Sequence, residues 1–328
     1  MDMDEIAVSV VVPTCGRPDL LNRCLEALCQ QTLSPARYEI IVVDDKPQPL
    51  TAQLVAIWRG RMVHKGPALL YLANTGTHGP AAARNLGWRE ARAAVIAFTD
   101  DDTVPEPAWL ECGLAGLTPD AGALCGRVVM PVPGAPTDYE RDASRLETAE
   151  FVTANCFCRK QMLSRVGGFD ERFRLAWRED SDLHFRLLSA GAEIVHSPEA
   201  VVVHPVRPAP WGVSISQQKK VLFDALLYKK HPVLYRQKIR PHPPWDYYAI
   251  VAMLLAMLLG VATGDQVLAL GGMAGWLLLT TKFCLMRLAG TAKTWSHVAE
   301  MIVTSALIPP CSVFWRVAGA WRFRVAFT

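Results

Sequence analysis

Residues 247–264, "YYAIVAMLLAMLLGVATG", contain no charged side chain, and after Asp265 a second uncharged stretch, "QVLALGGMAGWLLLTT", runs to Lys282. Each approaches the ~18–20 residues that a helix needs to cross the hydrocarbon of a bilayer. A buried helical hairpin in a soluble core is the competing reading. Two such runs joined by the short polar turn "TGDQ" favour a transmembrane hairpin instead. The flanking charges agree: "KKHPVLYRQKIR" (229–240) precedes the first run, Lys282, Arg287 and Lys293 close the second, and the turn has neither Lys nor Arg. The positive-inside rule then puts both ends of the hairpin in the cytoplasm, with Trp245, Tyr247 and Tyr248 where an interfacial aromatic belt would sit. The last apolar stretch, "MIVTSALIPPCSVFWRVAGAWRFRVAF", is interrupted by Pro309 and Pro310. With Arg316, Arg322 and Arg324 interleaved among Phe314, Trp315, Trp321 and Phe323, it reads as an interfacial amphipathic segment, with a re-entrant hairpin or a third span as alternatives.

The rest of the chain is long enough for one sizeable catalytic domain. A net charge of +3 gives no argument for nucleic acid. The start, "MDMDEIAVSVVVP", is acidic and runs into a strand pattern rather than a signal peptide, so the first domain is expected in the cytosol. Nine scattered cysteines with no C-x-x-C pair point to reduced thiols and no zinc site; Cys156 and Cys158 alternate as in a packed strand. The expected layout is a catalytic domain over 1–210, a helical juxtamembrane linker over 211–244, two transmembrane helices over 245–289 and an amphipathic or re-entrant segment over 290–328.

Within the first 210 residues, apolar strand-like runs alternate with helical patterns. "IAVSVVVP", "YEIIVVDD", "ALLYLAN" and "AVIAFTDDD" read as strands; "PDLLNRCLEALCQQ" and "GPAAARNLGWREAR" read as helices. This alternation predicts an α/β fold with a mostly parallel sheet covered on both faces. In such sheets ligands bind beyond the carboxyl ends of the strands. "PTCGRP", Asp44 with Asp45, and Asp100, Asp101 and Asp102 all fall at such ends. Three adjacent carboxylates with no positive charge nearby in sequence repel one another. A solvated acidic turn tolerates that, and so does a bound divalent cation, which prefers carboxylate oxygens. The position at a strand end favours the cation.

"VSVVVPTCGRPDLLNRCLEALCQQ", "YEIIVVDD", "GPAAARNLGW", "FTDDDTVPEPAWL", "VGGFDERF" and "REDSDLHFRL" occur in the order and approximate spacing of family 2 glycosyltransferases, inverting enzymes of the GT-A fold. The resemblance covers about residues 6–205. It implies a nucleotide-diphosphate sugar donor and Mn2+ or Mg2+ as cofactor. By that resemblance Asp102 is the direct metal ligand, with Asp100 and Asp101 contacting the metal, the ribose or the donor sugar, and His204 completing the metal site. Asp45 matches the residue that reads the nucleobase, with Asp44 beside it. Pro13, Thr14 and Arg17 match the first nucleoside loop, Arg84 an arginine near the nucleotide, and Gly79 a point of close backbone approach. In "WRED", Asp180 matches the catalytic base and Glu179 its companion. Asn155, Trp177 and Arg178 match positions lining the sugar and acceptor cleft.

Read without the resemblance, Asp180 would cap a helix, Arg84 would be a surface arginine and His204 a structural histidine. Asp182 is expected to pair with an arginine such as Arg186. The sequence departs from the family after Asp45, where "KPQPL" replaces the usual glycine-serine turn, and Lys46 there faces either a donor phosphate or solvent. The expected function is a metal-dependent transfer of one sugar to a lipid or lipid-linked glycan at the cytoplasmic membrane face. A sugar-phosphate nucleotidyltransferase is a weaker alternative, because "PTCGRP" is a poor glycine-rich phosphate loop. A catalytically inactive membrane adaptor that retains the fold is the other alternative, and the intact Asp100–Asp102, Asp180 and His204 argue against it.

Overall fold

The structure, a computed structural model, describes residues 6–63 and 66–327; the acidic start over residues 1–5 lies outside them. In chain order the elements are β1 (Val8–Thr14), α1 (Pro18–Cys29), β2 (Tyr38–Asp44), α2 (Pro49–Met62), β3 (Ala68–Ala73), α3 (Pro80–Glu90) and β4 (Val95–Phe98). Next come β5 (Val104–Pro105), α4 (Trp109–Gly116), β6 (Ala121–Val129), α5 (Asp138–Ala143), β7 (Cys156–Arg159), α6 (Lys160–Val166), α7 (Glu179–Ser189) and β8 (Glu193–Val203). The remainder is helical: α8 (Val213–Gln217), α9 (Leu222–Lys230), α10 (Pro232–Leu234), α11 (Trp245–Thr263), α12 (Gln266–Leu288) and α13 (Trp295–Phe323). The chain divides into two compact units, Met1–Pro131 with Arg145–Val206, and Val132–Ser144 with Arg207–Thr328.

The first unit is an eight-stranded sheet in the order β3-β2-β1-β4-β7-β6-β8-β5. β1, β2, β3 and β4 are parallel, as the alternating sequence predicts, and their ends align: Thr14 lies opposite Asp44, and Asp44 opposite Ala73. β7 runs against both β4 and β6, so the sheet as a whole is mixed. β1 is buried along its whole length because both faces are covered. Val8, Val10 and Val12 enter one core with Leu21, Leu25 and Trp109, while Val11 enters the other with Trp88, Leu163 and Leu183. Each such side chain contributes roughly 1.5–3 kcal/mol on burial. This two-sided packing makes a rigid base for the strand-end loops.

Two irregularities place the last site residue. The β6–β8 pairing runs from Gly126↔Ser197 to Arg127↔Val201, a bulge in β8. Asn155 pins that bulge, donating from Nδ2 to Arg127 O (2.9 Å) and Ala200 O (2.8 Å). Beyond it β8 pairs with β5, Val203 opposite Val104, which brings the residue after β8 beside the loop before β5.

In the second unit α11 and α12 form the expected hairpin. Gly264 takes a left-handed φ of 76°, and Asp265 caps α12 by accepting from Leu268 N at 3.0 Å. The last segment departs from the interrupted or re-entrant segment the sequence suggests. α13 is one helix of 29 residues that runs through Pro309 and Pro310. Each proline removes a backbone N–H, yet Ser305, Ile308 and Pro309 are all buried in the unit, and that packing holds the helix together across the gap. α11, α12 and α13 are each long and apolar enough to cross a membrane.

Candidate active site

The loop after β4 carries the three aspartates, and their mutual repulsion is relieved by groups distant in sequence. Thr14, at the end of β1, donates from Oγ1 to Asp101 Oδ2 (2.7 Å). Arg17 reaches the same carboxylate through Nε (3.1 Å) and Nη2 (2.6 Å). Asp101 is nonetheless fully buried, and that burial outweighs Arg17 and Thr14 and pushes its pKa up to about 6. Arg84, buried on α3, donates to Asp100 Oδ1 at 2.7 Å. Burial works against the Asp100 charge, but Arg84, helped by His204, holds the carboxyl below its ordinary value. Asp102 faces His204, whose Nε2 lies 3.6 Å from Asp102 Oδ1. Two guanidinium groups thus serve three aspartates. Thr14 and Arg17, expected to touch donor, are engaged with Asp101, which stands apart from the ligand-atom cluster of Asp100, Asp102 and His204.

Asp100, Asp102 and His204 each direct one ligand atom into a cluster whose atoms lie within 4.8 Å of one another. The His204 Nδ1 atom is buried without a hydrogen-bond partner. Two carboxylate oxygens and an imidazole nitrogen suit a divalent cation of the Mg2+ or Mn2+ type. The pairing of β5 with β8 explains why His204, far along the chain, arrives at Asp102.

Arg84 joins this cluster to the "WRED" loop. Its Nη1 donates to Glu179 Oε1 (3.1 Å) while Nη2 holds Asp100. Burial works against the guanidinium charge, but the two acids more than compensate and raise its pKa. Glu179 is buried, and burial together with the neighbouring Asp180 charge pushes its pKa up to about 7 in spite of Arg84. Asp180 is half-buried in the first turn of α7, and its Oδ1 accepts from Ser181 N at 2.6 Å. Burial raises its pKa as well, against the Ser181 hydrogen bond and the Arg178 charge. Arg178 precedes the helix in a left-handed conformation, φ 74°, which costs energy for a side-chain residue. Its guanidinium stacks 4.4 Å over the Trp177 ring. Asp182 pairs with Arg186 at 2.9 Å, as its helical spacing predicts.

At the neighbouring strand end Asp45 accepts from Gly79 N (2.9 Å to Oδ1) and Asn74 Nδ2 (2.9 Å). Gly79 opens α3 with φ 128°, and a Cβ there would lie 3.0 Å from Arg174 O, so glycine is required by both conformation and space. Gly79 therefore fixes Asp45 by its N–H. Asp44 lies deeper: its Oδ2 accepts from Tyr71 Oη and Gln48 N, both 3.1 Å. The second contact ties the "KPQPL" turn to β2, because the backbone N–H of Gln48, just before α2, donates to Asp44. Lys46 is exposed, and Pro13 is buried in β1. The sequence reading missed Asn74, His78 and Tyr71 around this pair. Asn74 had a signal, as a polar residue at a strand end before a helix start; Tyr71 had none.

Asn155 departs from the expectation of a cleft residue. It is fully buried, and besides Arg127 O and Ala200 O it accepts from Trp109 Nε1 at 2.8 Å. Its amide is consumed in holding the bulge that carries His204.

Residues 9–170 match the family model described as Glycosyl transferase family 2, and residues 95–318 match Glycosyl transferase family group 2. The chain belongs to glycosyltransferase family 2. Among its relatives, "Glycosyltransferase AglE" of Haloferax volcanii is 27% identical over 226 residues, 65% of this chain and 71% of that one. "Pre-mycofactocin glycosyltransferase" of Mycobacterium tuberculosis is 30% identical over 216 residues, 61% of this chain but only 43% of that protein. The solved "Mannosyltransferase PcManGT from Pyrobaculum calidifontis in complex with GDP-Man and Mn2+" superimposes with a TM-score of 0.63 at 18% identity, over 96% of this chain and 87% of that one. The family 2 glycosyltransferase thus has the GT-A fold, carried by its first unit, with three C-terminal helices apolar enough to span a membrane.

Proposed function

We propose that this enzyme transfers one sugar, with inversion, from a nucleoside-diphosphate donor to a lipid or lipid-linked acceptor at the cytoplasmic face of the membrane. The observation that carries the reading is the bridge made by Arg84 between Asp100 and Glu179, which ties the donor-atom cluster to the acidic pair of α7. A divalent cation held by Asp100, Asp102 and His204 would neutralise the diphosphate as it leaves. Asp45, held by Gly79 and Asn74, recognises the nucleobase, and Pro13 with Thr14 forms the floor of the nucleoside loop. Arg17 and Arg84 act by holding Asp101 and Asp100 in place, and both contribute positive potential where the leaving group gains charge.

Asp180 is the base that takes the proton from the acceptor hydroxyl as it attacks the donor carbon. Asp180 is half-buried as a residue, whereas Glu179 is enclosed and engaged by Arg84. The raised Asp180 pKa makes it a stronger base than an ordinary aspartate. Trp177, stacked by Arg178, offers a flat face to a sugar ring. The helical hairpin supports a membrane-borne acceptor, and the lysines and arginines at both its ends support a cytoplasmic catalytic unit.

The test is a screen of nucleotide sugars, GDP-mannose and UDP-sugars among them, with purified full-length protein and added Mn2+ or a chelator. Release of a nucleoside diphosphate that needs metal and is lost in Asp102→Ala supports the reading. Release of pyrophosphate would indicate nucleotidyl transfer instead. Absence of any metal-dependent turnover across the screen would remove the enzymatic reading.

A further inference from the structure

Three helices of the second unit are long and apolar enough to span a bilayer, but α13 is the most buried of the three. The buried stripe of α13 includes His297, Thr304, Ser305, Ser312, Arg316 and Gly319, at helical spacing from one end to the other. Its opposite face exposes Trp295, Ile302, Leu307, Phe314, Val317 and Trp321. The stripe also holds Met301, Ile308 and Pro309, but the polar residues of the helix's middle are gathered on it, while the outward face is apolar.

The segment that covers the polar face is the stretch just before the hairpin. Glu300 accepts from Gly212 N at 2.7 Å, and a Cβ on Gly319 would lie 2.7 Å from Leu222 O. Lys229 Nζ donates to Phe323 O at 2.7 Å. Residues 212–229 thus run beside α13 from residue 300 to its end. Lys219, Lys220, Asp224, Lys229 and Lys230 belong to that stretch or adjoin it. A helix crossing hydrocarbon with this companion would carry those charges inside, where ionisable side chains are rare and costly.

Partners of α13 lie at one end of the hairpin. Arg287, in the last turn of α12, donates to Thr304 Oγ1 (2.7 Å) and Ser305 Oγ (3.0 Å). Arg316, some 16 Å further along α13 at ~1.5 Å per residue, has its guanidinium 4.3 Å over the ring of Phe327, which packs on tyrosines that precede α11. The end of α12 and the start of α11 are the same end of the hairpin. Past α13 the chain turns back at Arg324, φ 51°, and Phe327 packs 5.3 Å from Tyr228 and 5.6 Å from Tyr235. Tyr228 and Tyr235 both precede the first span.

We propose that α13 lies in the plane of the membrane interface, across the base of a two-span hairpin, with its apolar face in the lipid and its polar face on residues 212–230. The chain then crosses the membrane twice, and its C-terminus lies on the same side as residues 207–244. The occupant of the exposed face is the headgroup region of an anionic bilayer, which both the tryptophans at the two ends of the helix and the lysines beside it suit. The inference concerns topology and does not depend on the proposed reaction.

Full-length protein carrying a protease-cleavable tag at each terminus, placed in sealed vesicles containing phosphatidylglycerol, tests the topology. Both tags cut together, from the same side, is the expected result; tags cut from opposite sides would overturn the proposal. Depth is tested with spin labels on Ile302→Cys, Leu307→Cys, Phe314→Cys and Trp321→Cys, after replacement of the native cysteines. Equal shallow immersion at all four positions supports an in-plane helix. Immersion deepest near residues 307–314 with both tags on one side would make the segment re-entrant and also overturn it. The tag experiment needs no cysteine replacement and so stands if those variants fold poorly.

Discussion

Replacing Arg84 with alanine removes a cation shared by the donor-atom cluster and the acidic pair of α7. Arg84 is 3% exposed, Glu179 is 4% exposed, and the Asp100 side chain is 25% exposed. Truncating one partner of a buried ion pair costs about 3–5 kcal/mol, and the access of Asp100 to water places this case near the lower end, about 3 kcal/mol in mildly alkaline solution. The loss should depend on pH. Glu179, raised to about 7, binds its proton more tightly in the folded chain than in the unfolded one. Its contribution to stability is fully present below the unfolded carboxylate range and is lost as pH rises through about 7. Without Arg84 its pKa moves higher still, and Asp100 loses the partner that holds its own pKa down. Both changes penalise the variant more at alkaline pH. At about pH 6 a protonated Glu179 should recover roughly 1–1.5 kcal/mol, since one pKa unit is worth ~1.4 kcal/mol. At ~2–4 °C per kcal/mol for a unit of this size, thermal unfolding of the detergent-solubilised protein should fall by about 6–12 °C near pH 8 and by visibly less near pH 6. Arg84→Lys keeps a charge but cannot fork between two acids, so it should fall between. A destabilisation equal at the two pH values would mean that neither carboxylate depends on Arg84 for its charge state.

Asp102→Ala and His204→Ala should both weaken Mn2+-dependent binding of a nucleoside diphosphate in calorimetry, Asp102 by the larger factor; unchanged metal dependence in Asp102→Ala would remove it from the metal site. Asn155→Ala removes the partner of Trp109 Nε1, Arg127 O and Ala200 O, so about 3 kcal/mol or more of stability should be lost at roughly 1–3 kcal/mol per orphaned group. A drop in acceptor affinity with unchanged stability would return Asn155 to the cleft. Gly79→Ala should slow or abolish donor binding by disturbing the N–H that holds Asp45, and a variant with wild-type donor affinity would show that this hydrogen bond is dispensable.

The parallel half of the sheet was legible because β1, β2 and β4 are buried on both faces and so read as unbroken apolar runs bounded by turn residues. The motifs at their ends were legible because residue type and order carried them. What pattern alone concealed is the pairing between them. Nothing local in "FTDDDT" says that Arg17 takes Asp101 while Arg84 takes Asp100; those contacts arise from the alignment of β1 with β4 and from the start of α3. Asn155 misled for a related reason. Its position matched a cleft, but the β8 bulge that its amide must satisfy appears only when β6 and β8 are seen paired. Pro309 and Pro310 misled in the opposite direction, because local helix-breaking tendency was outweighed by the burial of that stretch within the second unit.

Whether Asp180 is the base for sugar transfer is decided by single-turnover and steady-state kinetics of Asp180→Asn with the donor found by screening. Asparagine keeps the shape and removes the base, and general-base catalysis contributes ~10²–10⁴-fold. The expected result is a fall in kcat of about that factor with donor and metal affinity nearly unchanged, since Asp180 acts on the acceptor, and a smaller fall in Glu179→Gln. Near wild-type transfer by Asp180→Asn together with loss in Glu179→Gln would reverse the two roles, and activity in both variants would place the chemistry outside the acidic pair of α7.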